Sequence, residues 1–318
     1  MSRGRYAPSP TGDLHLGNAR TALVAWWRSR GAGSSFVMRV EDLDEPRTVP
    51  AAVPGNLDEL RWLGIDWDEG PDVGGAHAPY RQSQRHALYE RALAELADRE
   101  AVFECYLSRR ELRELSSAPH GATPVYGEQE RRRNRLVRER KRAQGKRPAL
   151  RLQAEETELR FHDALHGEVV FEAASEVGDV VLRRADGAWA YQFAVVVDDL
   201  EMGIEEVVRG DDLLHSTAAQ LLVYRALRRE PPAFMHVPLL LDESGERLAK
   251  RRGSLTLSAL RSSGVTAAKV VGLLAATLGF LERPEPLEAA EFLSIASLDQ
   301  LRREPHALTP EELRWLGL

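Results

Sequence analysis

The sequence predicts an α/β protein built on a parallel sheet. Residues 3–40 run strand, turn, helix, strand, and further strand-like and helix-like runs resume after a charged interruption near residues 107–147. The length of 318 residues exceeds the roughly 100 to 200 usual for one domain, which implies two domains or one carrying insertions.

Residues 3–7, "RGRYA", read as a strand that stops at Pro8, because proline offers no ladder donor and holds its predecessor extended. The turn "PSPTGDLHLG" follows. From Asn18 the run "NARTALVAWWRSRG" is rich in helix formers, with Gly31 or Gly33 as its stop, and "SFVMRV" (Ser35–Val40) reads as a second strand. Such a unit makes two parallel strands joined by a right-handed crossover. Ligands sit beyond the carboxyl ends of those strands, so the turn around His15 and Gly17 falls where a phosphate would meet helix N–H groups.

Downstream, Ser83–Glu100 predicts a helix and "AVFECYLS" a strand. Residues 107–147 show no strand period and read as an insertion between halves of the sheet. "PALRLQ", "ELRFHDALHGEVVFEA" and the whole of "GDVVLRRADGAWAYQFAVVVDDLEMGI" read as β segments, with Asp186-Gly187 as a hairpin turn. "STAAQLLVYRALRRE" predicts a helix started by His215 and capped by Ser216. From Ser258 onward the chain reads as mainly helical, and Thr309 and Pro310 open its last helix.

Composition narrows the class. An apolar share of 43% with 29% charge fits a globular chain rather than a disordered one. The longest apolar stretch, Ala267–Phe280, contains Lys269 and falls short of the ~20 residues a membrane span needs, so no membrane association is expected. The N-terminus lacks a secretory pattern and Cys105 is the single cysteine, which points to a cytoplasmic protein and excludes an internal disulfide. A net charge of −6 hides a local field: Arg131–Arg147 holds ten basic residues against Glu139 alone. That run is a solvated helix or an anion- or nucleic-acid-binding one.

"RYAPSPTGDLHLGNAR", "RVEDLD", "VVRGDDLLHST" and "RLAKR" occur in this order between residues 5 and 251. Together they resemble the class I aminoacyl-tRNA synthetases, in their glutamyl branch. The resemblance implies a Rossmann-like parallel-sheet catalytic domain with an α+β insertion and a short C-terminal helical region. It divides the chain into residues 1–106, the first catalytic half; 107–190, an acceptor-binding-like insertion; 191–257, the second half with its KMSKS-like loop; and 258–318, helical, without a full anticodon-binding domain. The 67 residues after Arg251 suit the shortened paralogues of this branch, which attach glutamate to queuosine in the anticodon loop of tRNA(Asp). The alternatives are a truncated enzyme charging a tRNA 3′ end and a catalytically silent tRNA-binding paralogue. A monomer is expected.

Joining a carboxylate to the α-phosphate of ATP crowds anions together, so the site needs cations and N–H donors. By resemblance His15 and Lys250 are the catalytic residues, and His15, Gly17, Asn18 and Lys250 bind ATP, with Mg²⁺ as cofactor. "RLAKR" departs from the commoner motif at Arg247 and Ala249 but keeps Lys250. L-Glutamate presents one ammonium and two carboxylates, which call for an acid and for arginines or hydroxyls. The family positions for these are Arg5, Ala7, Ser9 and Glu41 in the first half and Tyr191 and Arg209 in the second, with Glu41 on the ammonium and the arginines on the carboxylates. Asp42 and Asp44 read as turn or arginine-pairing residues. The family often holds zinc in the insertion; here the corresponding positions are Phe103, Cys105, Tyr126 and Glu130, so the zinc site is expected to be lost.

Overall fold

The computed structural model describes residues 3–108, 110–112, 125–155, 157–248 and 255–318. Its centre is a six-stranded sheet in the order β2-β1-β8-β9-β5-β6. Here β1 is Gly4–Tyr6, β2 Phe36–Met38, β5 Glu158–Asp163, β6 Gly167–Glu172, β8 Glu206–Gly210 and β9 Ala233–Val237. The ladders from β2 through β5 are parallel, and β6 closes the edge as an antiparallel hairpin with β5. The first crossover is as expected: β1 and β2 pair parallel, with α1 (Leu16–Gly31) between them in sequence. Strand order reverses between β1 and β8, which makes their carboxyl ends the place for a ligand.

A smaller antiparallel sheet joins β3 (Val102–Cys105), β4 (Ala149–Leu152) and β7 (Val180–Arg183). Residues 107–190 therefore divide between the two sheets, since β5 and β6 belong to the large one. The basic run forms α4 (Glu128–Ala143), which follows α2 (Ala52–Trp62) and α3 (His86–Asp98) in the chain. Its inward stripe is Glu130, Asn134 and Val137.

Alternation along the strands decides what each face of the large sheet meets. Met38, Val208 and Met235 face one core, built with α1, α2, α8 (Ala267–Leu278) and α9 (Ala289–Ile295). Val37, Val207 and Phe234 face a second core, roofed by α5 (Tyr191–Glu201) and α6 (Leu214–Leu227). Both faces are covered, as a parallel sheet requires. The apolar Ala267–Phe280 run becomes α8, its Val270–Leu278 stretch fully buried. Helices α7 (Leu257–Ser262) and α10 (Pro310–Trp315) complete the C-terminal part, and Thr309 caps α10 with Pro310 in its first turn, as expected.

Two local readings are corrected. Tyr191–Glu201 is a helix, not strand; the β-branched run Val195–Val197 is buried on all sides under the sheet, and a fully buried helix loses the periodic stripe that would identify it. Ser216 does not cap the helix after β8, which begins at Leu214 behind a 3₁₀ turn over Asp211–Leu213. His215 instead meets the Glu176 carbonyl through Nε2 at 3.1 Å. The Asp186-Gly187 turn is present, with Gly187 at a φ of 92° and the Arg184 N–H donating to the Ala188 carbonyl at 2.8 Å.

Candidate active site

The face of the sheet that meets α5 and α6 carries a row of polar residues where apolar ones would be ordinary. In register, Arg5 lies opposite Val37 and Arg209 opposite His236, and Asp163 lies opposite Phe234. Arg5, Arg209, His236 and Asp163 thus project to the same side as Val37, Val207 and Phe234, toward the second core. Arg39, one residue past β2, continues the row. All five are buried. Buried charge is tolerated only when paired, and α5 supplies the partners. Asp199 accepts from Arg39 Nη1 at 2.6 Å and lies 3.4 Å from Arg5 Nε. Asp198 accepts from Arg85 Nε at 2.6 Å, Gln82 Nε2 at 2.7 Å and the Tyr89 hydroxyl at 2.9 Å.

Glu41 receives Arg39 Nη2 at 3.0 Å. Burial pushes its carboxyl up, against the pull of Arg39 and Arg5. The Arg5 guanidinium also donates to the Val208 carbonyl at 3.3 Å. Tyr191 opens α5, and its phenol is raised by burial first and then by the nearby Glu41 carboxylate, with Arg209 and Arg5 opposing. Ser9, Glu41 and Tyr191 line one cleft of about 320 Å³, together with Gln82, Arg184 and Trp189. Ala7 follows β1 at its carboxyl end, and the Glu41 N–H donates to the Pro8 carbonyl at 3.1 Å, which ties that turn to the start of "EDLD". Asp42 accepts from the Ser83 N–H and hydroxyl at 2.8 and 2.7 Å, and Asp44 lies 3.8 Å from Arg47.

Arg209 is held on three sides. Its Nε donates to His236 Nε2 at 3.1 Å, and Nη2 donates to Thr217 Oγ1 at 2.6 Å and Gln220 Oε1 at 2.9 Å. Its Nη1 is buried and has no hydrogen-bond partner among the described residues. An unmet guanidinium nitrogen in a buried site costs free energy unless a ligand meets it.

The second group of residues sits at the amino end of α1. His15 is the N-cap: Nδ1 accepts the Gly17 and Asn18 N–H groups at 3.1 and 3.3 Å, while the Asn18 side chain accepts the His15 N–H at 3.1 Å. An accepting Nδ1 fixes the neutral tautomer with its proton on Nε2, so the ring is a donor outward from the helix start. A Cβ on residue 17 would lie 3.0 Å from His15 Cε1, which gives the glycine a packing reason. Lys250 lies outside the described residues, as does Ala249. Their flanks do not: Leu248 lies against Gly17, and Thr256 bridges antiparallel to His15, with the Leu257 N–H on the Leu14 carbonyl at 2.8 Å. Arg247 pairs with Asp212.

Phe103, Cys105, Tyr126 and Glu130 come together in the small-sheet unit, yet their chemistry does not fit zinc. Phe103 and Tyr126 are ring neighbours at 5.9 Å, and Cys105 and Tyr126 are buried in the same apolar cluster. Glu130 accepts the Gly127 N–H at 2.8 Å and closes the capping box of α4. One thiol with a spent carboxylate is no tetrahedral set. Apolar packing and a helix cap occupy these positions.

Sequence reasoning missed Arg39, Asp198, Asp199, Asp163, His236, Thr217 and Gln220. Arg39 and the Asp198-Asp199 pair stand inside the runs "SFVMRV" and "VVVDDLE"; Arg39 has Glu41 two residues on, but its bond to Asp199 and the Asp198 bond to Arg85 span more than 100 residues.

The sheet reversal thus carries buried arginines, and α1 begins with an N-capping histidine. The chain matches the family "tRNA synthetases class I (E and Q), catalytic domain" over residues 2–315, and it belongs to that family. It is 47% identical to the Glutamyl-Q tRNA(Asp) synthetase of Symbiobacterium thermophilum, covering 100% of this chain and 99% of the relative. It is 46% identical to the protein of that name from Nitratidesulfovibrio vulgaris, covering 98% and 97%. Among solved structures it resembles a glutamate tRNA ligase from Elizabethkingia meningosepticum in complex with its amino acid, with a TM-score of 0.86 at 26% identity over 99% of this chain and 68% of that one. No helix among the described residues is long and apolar enough to cross a membrane.

Proposed function

We propose that this protein activates L-glutamate with ATP and transfers it to queuosine in the anticodon loop of tRNA(Asp). The observation that carries the reading is the near end-to-end likeness, at 46–47% identity, to relatives named for that reaction. The geometry supports it. Glu41 takes the α-ammonium through a carboxylate that Arg39 already orients. Arg5 and Arg209 each take a carboxylate, and Arg209 brings a donor with no partner among the described residues. Ser9 forms the wall beside Glu41, Tyr191 closes the cleft from α5, and Ala7 contributes from the carboxyl end of β1.

ATP binding is assigned to His15, Gly17, Asn18 and Lys250. His15 presents Nε2–H toward the phosphates, from a ring that its own helix start holds in one orientation. The flanks of the Lys250 segment lie against that same turn. As a glutamate α-carboxylate oxygen attacks the α-phosphorus and the bond to the departing pyrophosphate breaks, negative charge grows there and is met by these fixed donors, which strengthens binding in the transition state. Mg²⁺ supplies charge neutralisation of the phosphates when bound. The enzyme acts as a monomer in the cytoplasm.

Glutamate-dependent exchange between ATP and pyrophosphate, with and without tRNA, tests the activation step; exchange without RNA is expected. Glutamate transfer to tRNA from cells with and without queuosine tests the acceptor. Equal transfer to both would remove queuosine and favour the 3′ end.

A further inference from the structure

The geometry points to Asp163 and His236 as positioning residues that aim Arg209 at a substrate carboxylate. The inference rests on the glutamate reading above and deepens it. Three adjacent strands deliver the residues in line: Asp163 ends β5, His236 lies in β9 and Arg209 lies opposite it in β8. Asp163 and His236 show no exposed surface, Arg209 is 5% exposed, and none of the three lines the cleft of about 320 Å³.

The order of donors and acceptors runs one way. Asp163 Oδ1 accepts the Leu165 and His166 N–H groups, each at 3.0 Å. Its Oδ2 accepts the His236 N–H at 3.0 Å and faces His236 Nδ1 at 2.6 Å. A carboxylate so placed fixes the imidazole proton on Nδ1. Nε2 is then an acceptor, and it receives the Arg209 Nε–H at 3.1 Å. With Nε so engaged and Nη2 shared between Thr217 and Gln220, the planar guanidinium cannot rotate. Nη1 is the nitrogen left for a ligand. The other tautomer would set two N–H groups against each other across the 3.1 Å between Arg209 Nε and His236 Nε2, whereas with Nε2 bare the Thr217 hydroxyl, 3.0 Å from it, can donate to the same nitrogen.

Electrostatics agrees with a neutral ring. Burial, then the Arg209 guanidinium, push the His236 imidazole below its usual range despite Asp163. Burial alone would raise the Asp163 carboxyl; the hydrogen bonds from His236, His166 and Leu165 hold it below its usual range.

The test compares His236→Phe with His236→Gln in the full chain. Phenylalanine removes the acceptor; the glutamine amide oxygen can reach the Nε2 position. For His236→Phe the glutamate KM in the exchange assay is expected to rise about tenfold, the scale of losing one hydrogen bond to a charged group. The ATP KM should stay within about twofold and His236→Gln should regain most of the loss, as a packing defect would not. An unchanged glutamate KM, or equal losses for both substrates and both variants, overturns the inference. A second measurement stands apart from activity and from the folding of either variant: long-range nitrogen NMR of ¹⁵N-histidine-labelled wild type should show His236 protonated at Nδ1 and bare at Nε2. A proton on Nε2 overturns the inference. If wild type performs no glutamate-dependent exchange, the proposed function fails, while the tautomer still decides whether Asp163 and His236 orient Arg209.

Discussion

Arg39 donates to Asp199 at 2.6 Å across 160 residues of sequence, with neither side chain more than 2% exposed. The pair joins the strand end that carries Glu41 to the helix that begins with Tyr191. Through it, the two halves of the sheet share one charge network, and the cleft lined by Glu41 and Tyr191 is a product of their docking.

Arg39→Met therefore strips charge compensation from Asp199 and Glu41 together. Removing one partner of a buried ion pair costs about 3 to 5 kcal/mol, which urea denaturation should register. Truncation at exposed Arg47, which lies 3.8 Å from Asp44 at the surface, should change stability by under about 1 kcal/mol.

Gly17→Ala separates packing from catalysis. Alanine is the better helix former by about 1 kcal/mol, and disturbing the His15 cap costs about as much, so the melting temperature should hardly change. The new Cβ, 3.0 Å from His15 Cε1, pushes the imidazole by a few tenths of an ångström. Exchange activity is expected to fall about tenfold or more, since small misplacements of a catalytic group are costly. Full activity in this variant would remove His15 from the phosphate site.

Much of this region is legible in the sequence. Pro8, the Gly-rich turn and the helix formers from Asn18 are local signals, and the crossover follows from them. The Thr309 cap is equally local. The helix Tyr191–Glu201 was illegible because burial on every side favours the same β-branched residues as a central strand. Arg39 escaped notice because Met38 and Val40 suggested a single buried face, whereas a sheet covered on both sides buries the alternate residue too. The Arg39 pairing with Glu41 is local, but its pairing with Asp199 is fixed by the tertiary fold, and no spacing in the sequence announces it.

Glu59 gives a pH dependence with a definite sign. It lies on α2 with Oε2 buried and unpartnered among the described residues. Its carboxyl is pushed up to about 7, by burial first and then by Asp13, against a hydrogen bond from the Leu14 backbone. A carboxyl raised in the folded state favours folding fully only below its unfolded value of 4.5, and that contribution is lost as pH rises through about 7. Wild-type stability should therefore decline between about pH 5 and 8 relative to Glu59→Gln, as read from denaturant midpoints. Parallel profiles for the two proteins would refute this assignment.

The exposed face of α4 addresses RNA binding. Arg132 and Arg135 share Glu128, while Arg133, Arg140 and Arg142 are exposed with no acidic partner among the described residues. Changing these last three to glutamine should flatten the salt dependence of tRNA binding by about 0.7 to 0.9 in logarithmic slope for each phosphate that an arginine no longer neutralises. An unchanged slope assigns the helix to solvent.

The central claim is that Glu41 and Tyr191, which line one cleft, and the buried Arg5 and Arg209 together select glutamate beside the His15 turn. A crystal structure with glutamate and a non-hydrolysable ATP analogue tests it most directly. We expect the ammonium on Glu41, a carboxylate on Arg209 Nη1 and the α-phosphate within hydrogen-bond reach of His15 Nε2. Glutamate bound away from these four side chains, or nucleotide on a separate surface, would contradict the account.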